Sequence, residues 1–120
     1  SVHYIEKNPA IERQIVQNEM IWSICDRIRD AVTELKYEAQ LSLRLMMNCR
    51  DAYNLEMARY KDNGKDGVTA DQGKTLKNTI DSYLSTFTEV QRNNLISRVK
   101  YHNIFDNHQY RRLDPTKKVN

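Results

Sequence analysis

Apolar residues recur about once per helical turn through the first half of the chain. Their spacing averages about 3.67 residues per turn, which is typical of an amphipathic α-helix. Asn8-Pro9 is a helix-start signal, because the N–H that proline lacks would be unpaired in the first turn. No Gly or Pro follows until residue 64, so the pattern predicts one helix over residues 9–62. Its apolar positions are Ile24, Ile28, Val32, Leu35, Ala39, Leu43 and Met46.

A second apolar stripe lies nearly opposite the first. Apolar residues on two sides of a helix indicate contact with more than one neighbour. Trp22 is a further candidate, because aromatic side chains anchor many protein interfaces, although core packing is their more common role. The two stripes and this aromatic residue predict a protein interface made of Trp22, Ile24, Ile28, Val32, Leu35, Leu41, Leu45 and Leu55.

The sequence DNGKDG at residues 62–67 separates this segment from a second one. Its glycines and aspartates are typical of a turn, and they predict a loop over residues 62–68. Thr69 or Asp71 can cap the helix that follows. Apolar residues recur at helical spacing until the chain reaches Pro115, which predicts a second helix over residues 69–113.

The chain is therefore expected to be all-α, with an N-terminal arm (residues 1–8), one helical domain (9–113) and a basic C-terminal tail (114–120). Residues 10–61 as one helix would span roughly 78 Å, whereas a compact chain of this length has a radius of gyration of about 14 Å. Either the segment breaks or the chain is elongated. Because no residue between 10 and 61 signals a break, we expect a long antiparallel hairpin packed in an oligomer; a three- or four-helix bundle is the alternative. A contact between Cys25 and Cys49 would require the first segment to fold back near Tyr37.

Composition adds little about the compartment. Two Cys and the lack of an N-x-Ser/Thr acceptor site favour a reducing location, cytoplasmic or otherwise intracellular. The sequence contains no apolar run long enough to span a membrane.

Known catalytic and binding motifs are missing, so we expect a protein that is not an enzyme, with no catalytic, cofactor-binding or metal-binding residues. The loop at residues 62–67 has acidic residues at calcium-loop spacing, but Gly73 stands where an EF-hand needs a bidentate Glu. His102, Asp106 and His108 do not converge on one helix face, as a zinc site would require.

The last quarter of the chain carries most of the positive charge. Residues 92–120 contain seven Lys/Arg and two Asp/Glu, whereas residues 1–62 contain nine and ten. Basic side chains can neutralise phosphates, and the interleaved Tyr101, Phe105 and Tyr110 could stack on bases. The candidate nucleic-acid contacts are Arg98, Lys100, Arg111, Arg112, Lys117 and Lys118.

Three functional hypotheses follow from these patterns. The first is a helical assembly or scaffold protein that buries its apolar faces in a homo-oligomer or against a protein partner. The second is a nucleic-acid-binding protein that uses the basic C-terminal quarter. The third is a ligand-sensing bundle with Gln91, Asn94 or His102 pointing into a pocket between helices.

Overall fold

The computed structural model describes residues 7–63 and 75–119, and these ranges contain helices and no strand. The all-α prediction is therefore confirmed. The described elements, in chain order, are α1 (Pro9–Val16), α2 (Glu19–Glu34), α3 (Leu43–Asn63), α4 (Leu76–Leu84), α5 (Glu89–Val99), α6 (Tyr101–Phe105) and a 3₁₀ segment (Asp106–Arg112).

The prediction of one helix over residues 9–62 is wrong, because that segment forms three helices. The first break is at Gln17, whose left-handed backbone (φ 54°, ψ 33°) ends α1. Asn18 then caps α2 by accepting a hydrogen bond from the Ile21 N–H at 2.9 Å. Asparagine is a strong helix N-cap, so the break is encoded by a polar cap rather than by Gly or Pro.

The second break lies between α2 and α3. Lys36 adopts a left-handed conformation (φ 60°), and Ser42 accepts a hydrogen bond from the Leu45 N–H at the start of α3. The chain folds back here and brings the Cys25 and Cys49 thiols beside each other, which raises the pKa of Cys25. Both thiols are free and buried, and their contact rules out an unbroken helix.

The predicted helix over residues 69–113 is also divided. Thr75 caps α4, whereas the caps expected at Thr69 and Asp71 lie outside the described residues, as does most of the predicted loop. Thr88 and Gln91 form a capping box at the start of α5. Lys100 adopts a left-handed conformation (φ 55°) between α5 and α6.

The apolar stripes pack against one another inside the chain. The Cα radius of gyration is 14.5 Å, close to the ~14 Å expected of a compact chain of this length. One core collects side chains from all six helices, the 3₁₀ segment and the connection before α3. Among its least exposed members are Met20, Ile21, Ile24, Ile28, Met46, Leu76, Ile80, Leu95, Phe105 and Tyr110. The stripes are thus covered without the partner chain that the elongated hairpin required.

None of the helices in the described ranges combines the length and the apolar character needed to cross a membrane.

Candidate functional site

Most of the predicted protein-interface residues belong to the core of the chain itself. Leu35 and Leu45 are partly buried against that core. Leu55 is the exception, with 43% of its surface exposed. The remaining five are buried: Trp22, Ile24, Ile28, Val32 and Leu41.

The structure divides the predicted nucleic-acid contacts into two groups. Arg98 donates to Glu34 Oε2 at 2.6 Å, and Arg111 donates to Glu56 Oε2 at 3.1 Å in the protein interior. Both cations have a carboxylate partner, on the surface for Arg98 and in the interior for Arg111. The second group has no ion pair with a described residue and consists of the exposed Lys100, Arg112, Lys117 and Lys118.

The last residues form a docked segment rather than a separate tail. We name residues 113–119 the C-terminal strap, because they lie across the N-terminal half of α2. The Met20 N–H donates to the Pro115 carbonyl at 3.2 Å. The Val119 N–H donates to Ser23 Oγ at 2.9 Å, and Arg27 donates to the Val119 carbonyl at 2.8 Å.

A cavity of about 360 Å³ lies between the strap, α2 and the α5–α6 junction. We name it the basic cavity, because four cations line it and only one acidic residue does. That residue, Asp114, accepts hydrogen bonds from the Thr116 N–H and hydroxyl, and these bonds lower its pKa. The full lining is Arg27, Lys100, Asn103, Ile104, Leu113, Asp114, Lys117, Lys118 and Val119.

Trp22 forms part of the surface beneath the strap. The Lys118 ammonium lies 5.7 Å from its ring centroid, and the Arg13 guanidinium lies 3.9 Å away. These are cation–π distances. The indole N–H donates to Glu12 Oε1 at 3.1 Å. Glu12 therefore fixes the ring, and Lys118 approaches the ring from the strap.

Glu12 is also held by Arg29, which donates to both carboxylate oxygens at 2.6 and 2.8 Å. Hydrogen bonding to Arg29 lowers the pKa of Glu12, although burial opposes the shift. Asp26 accepts from Arg29 and pairs with Lys7 at 2.6 Å. Burial would raise the pKa of Asp26, but these two cations lower it. The network fixes α1 against α2.

A second buried carboxylate joins α3 to the 3₁₀ segment. Glu56 accepts from the Tyr110 hydroxyl at 2.8 Å and from Arg111, and its side chain is fully buried. His108 Nδ1 lies 3.3 Å from the Tyr110 hydroxyl. Burial, followed by the hydrogen bond to Glu56, raises the pKa of Tyr110. Burial and then the Arg111 charge lower the pKa of His108.

A larger cavity, of about 760 Å³, lies between α3 and α4. We name it the polar groove, because seven of its eleven lining residues carry an amide or a hydroxyl group. It includes two predicted interface residues, Leu45 and Leu55, and no Lys or Arg side chain is among its lining residues. These are Gln40, Ser42, Leu45, Asn48, Asp51, Ala52, Leu55, Asn78, Thr79, Ser82 and Tyr83.

The residues proposed for a pocket between helices have other roles. Gln91 completes the capping box of α5. Asn94 is exposed and donates to the Tyr37 hydroxyl at 3.2 Å. His102 is also exposed and lies 3.2 Å from Asp106. Among the described residues, no three His, Cys, Asp or Glu side chains are grouped so that they could hold a metal ion.

The sequence did not predict two residues that organise the basic cavity. Arg27 lines the cavity and Ser23 holds the strap, and they lie 92 and 96 positions before Val119. Both lie on α2, where the apolar pattern predicted only their apolar neighbours as interface residues. Nothing in the local sequence marks a half-buried Arg or a buried Ser as a partner of the strap.

The chain matches no protein-family model, no curated protein and no solved structure.

Proposed function

We propose that the chain is a non-enzymatic binding protein that contacts nucleic-acid phosphates through the basic cavity and the exposed lysines around it. The observation that carries the proposal is the convergence of Arg27, Lys100, Lys117 and Lys118 on one cavity. These four positive charges outnumber the single negative charge of Asp114, which favours a polyanionic ligand.

Hydrogen-bonding and apolar groups complete the cavity. Asn103 supplies an amide, and Ile104 and Leu113 supply apolar surface at the same site. Phosphates bind to Lys and Arg, while sugars and bases use amide and apolar contacts. A nucleic acid can use the cations, the amide and the apolar surface of this lining together.

The test is fluorescence anisotropy of a labelled duplex oligonucleotide at low salt. We expect saturable binding by the wild-type chain and a loss of about tenfold or more in affinity for the variant K117E/K118E, because two phosphate contacts become repulsive. The matched control is K36E/R44E, which changes the charge equally at exposed positions away from the cavity. No binding by the wild type contradicts the proposal, and so does equally effective competition by polyglutamate.

A protein partner or a second copy of the chain is the second candidate. It is favoured by Leu55, a large apolar side chain that stays 43% exposed within the polar groove. Sedimentation velocity over the micromolar range would detect self-association, which L55K should weaken because a charge would then enter the interface. A wild-type chain that sediments as a monomer throughout this range contradicts self-association.

A further inference from the structure

The basic cavity is not complete without the C-terminal strap. Lys117, Lys118 and Val119 form one side of it, whereas Arg27 on α2 and Lys100 at the α5–α6 junction form the other. The lysines of the strap therefore stand opposite the other cations only while the strap lies on α2.

Two side chains of α2 position the end of the strap. Ser23 is nearly buried; its Oγ accepts from the Val119 N–H and donates to the Met20 carbonyl at 2.9 Å. Arg27 reaches the Val119 carbonyl from one helical turn further along. The strap thus ends on two hydrogen bonds, of which the Ser23 bond involves no charge and lies outside the lining of the basic cavity.

The electrostatics across the strap favour the same position. A further cavity of about 390 Å³ lies on its other side, where Lys118 and Val119 again form part of the lining. Asp26, Asp30 and Glu34 contribute carboxylates there. Arg27 and Arg98 line this cavity too, and the three carboxylates already pair with Lys7, Arg29 and Arg98. They therefore offset only part of the repulsion between Lys118 and the cations of the basic cavity.

We infer that strap docking on α2 and anion binding in the basic cavity are one coupled equilibrium, with Ser23 as a positioning residue. The inference rests on the proposed function and adds its regulation. A bound polyanion stabilises the docked strap because the strap supplies two of the four cations. By reciprocity, docking of the strap raises anion affinity by the same factor by which a bound anion favours docking, so a change that releases the strap weakens anion binding.

Trp22 provides a direct reporter of the docked strap, because it is the single Trp of the chain and Lys118 lies over its ring. The experiment compares the wild-type chain, S23A and a chain truncated after Thr116. We expect a red shift of Trp22 emission in both variants. S23A should also bind the labelled duplex several-fold more weakly and with a shallower dependence on salt, although it removes no charge. The control is S97A, at an exposed serine of α5.

The outcomes separate the inference from the proposed function. A wild-type chain that binds no oligonucleotide contradicts the proposed function. A wild-type chain that binds, together with an S23A chain of unchanged affinity, contradicts only the coupling. Unchanged Trp22 emission in the truncated chain contradicts strap docking itself, whatever the affinity.

Discussion

Two groups of cations in this chain differ in whether the fold neutralises them. Arg29 and Arg111 are largely buried, and each donates hydrogen bonds to a buried carboxylate, Glu12 and Glu56 respectively. Lys100, Lys117 and Lys118 are exposed, and no ion pair joins them to a described residue. The first group holds helices together, whereas the second leaves its charge available to a ligand.

The number of basic residues in a stretch of sequence overestimates the number of cations that are free to bind a ligand. Arg98 and Arg111 belong to the basic quarter, but carboxylates from α2 and α3 neutralise them. Arg27 lies far outside that quarter and joins it through the fold. The set of cations that can reach a ligand is therefore a property of the packed chain.

The largest expected effect is on the buried pair. E56Q leaves Arg111 buried without a counter-charge, so the free energy of unfolding should fall by about 3–5 kcal/mol. Chemical denaturation followed by circular dichroism measures this change. The matched control is E38Q, the same substitution at an exposed loop position. A loss below about 1 kcal/mol for E56Q, as for a surface ion pair, would remove the distinction between the two groups of cations.

A smaller effect is expected from pH at His108, which lies beside Tyr110 and near the Arg111 charge. Its pKa is lowered in the folded chain, so the unfolded chain binds the proton more readily. The free energy of unfolding should therefore be highest above pH ~6.5 and fall as the pH drops below that value. The variant H108N should flatten this part of the profile, because Asn does not titrate and tolerates the left-handed backbone at this position (φ 54°). Parallel profiles for the two chains would rule out His108 as the cause.

The smallest effect on stability is expected at the strap. K117Q removes an exposed cation that has no ion pair with a described residue, so the free energy of unfolding should change by less than about 0.5 kcal/mol. Affinity for the duplex should nevertheless fall, since a phosphate contact is lost. Denaturation and anisotropy on the same preparation measure both. A clear loss of stability would place Lys117 with the structural cations.

The helical fold could be predicted from the sequence, but its breaks could not. The apolar period of 3.6 residues indicates helix correctly in both halves. The breaks at Gln17 and Lys36 use left-handed residues other than Gly, and the caps at Asn18 and Ser42 are polar residues common on helix surfaces. Only the tertiary fold makes these positions breaks, because folding back buries both apolar stripes in one core.

The candidate site could be predicted only in part, because some of its contacts form only in the folded chain. Lys100, Lys117 and Lys118 stand out in a basic stretch, and the structure places all three around one cavity. Ser23 and Arg27 gave no signal, because their role depends on the chain end returning to α2. Contacts at a separation of more than 90 residues have no local signature that the apolar or charge pattern could reveal.

The most direct test of the account is the salt dependence of duplex binding by the wild-type chain. If the four cations of the basic cavity replace condensed counterions, a plot of the log of the association constant against the log of the salt concentration should have a slope of about −3.6. A slope close to zero, or no measurable binding at low salt, would contradict the claim that these cations are held for a polyanionic ligand.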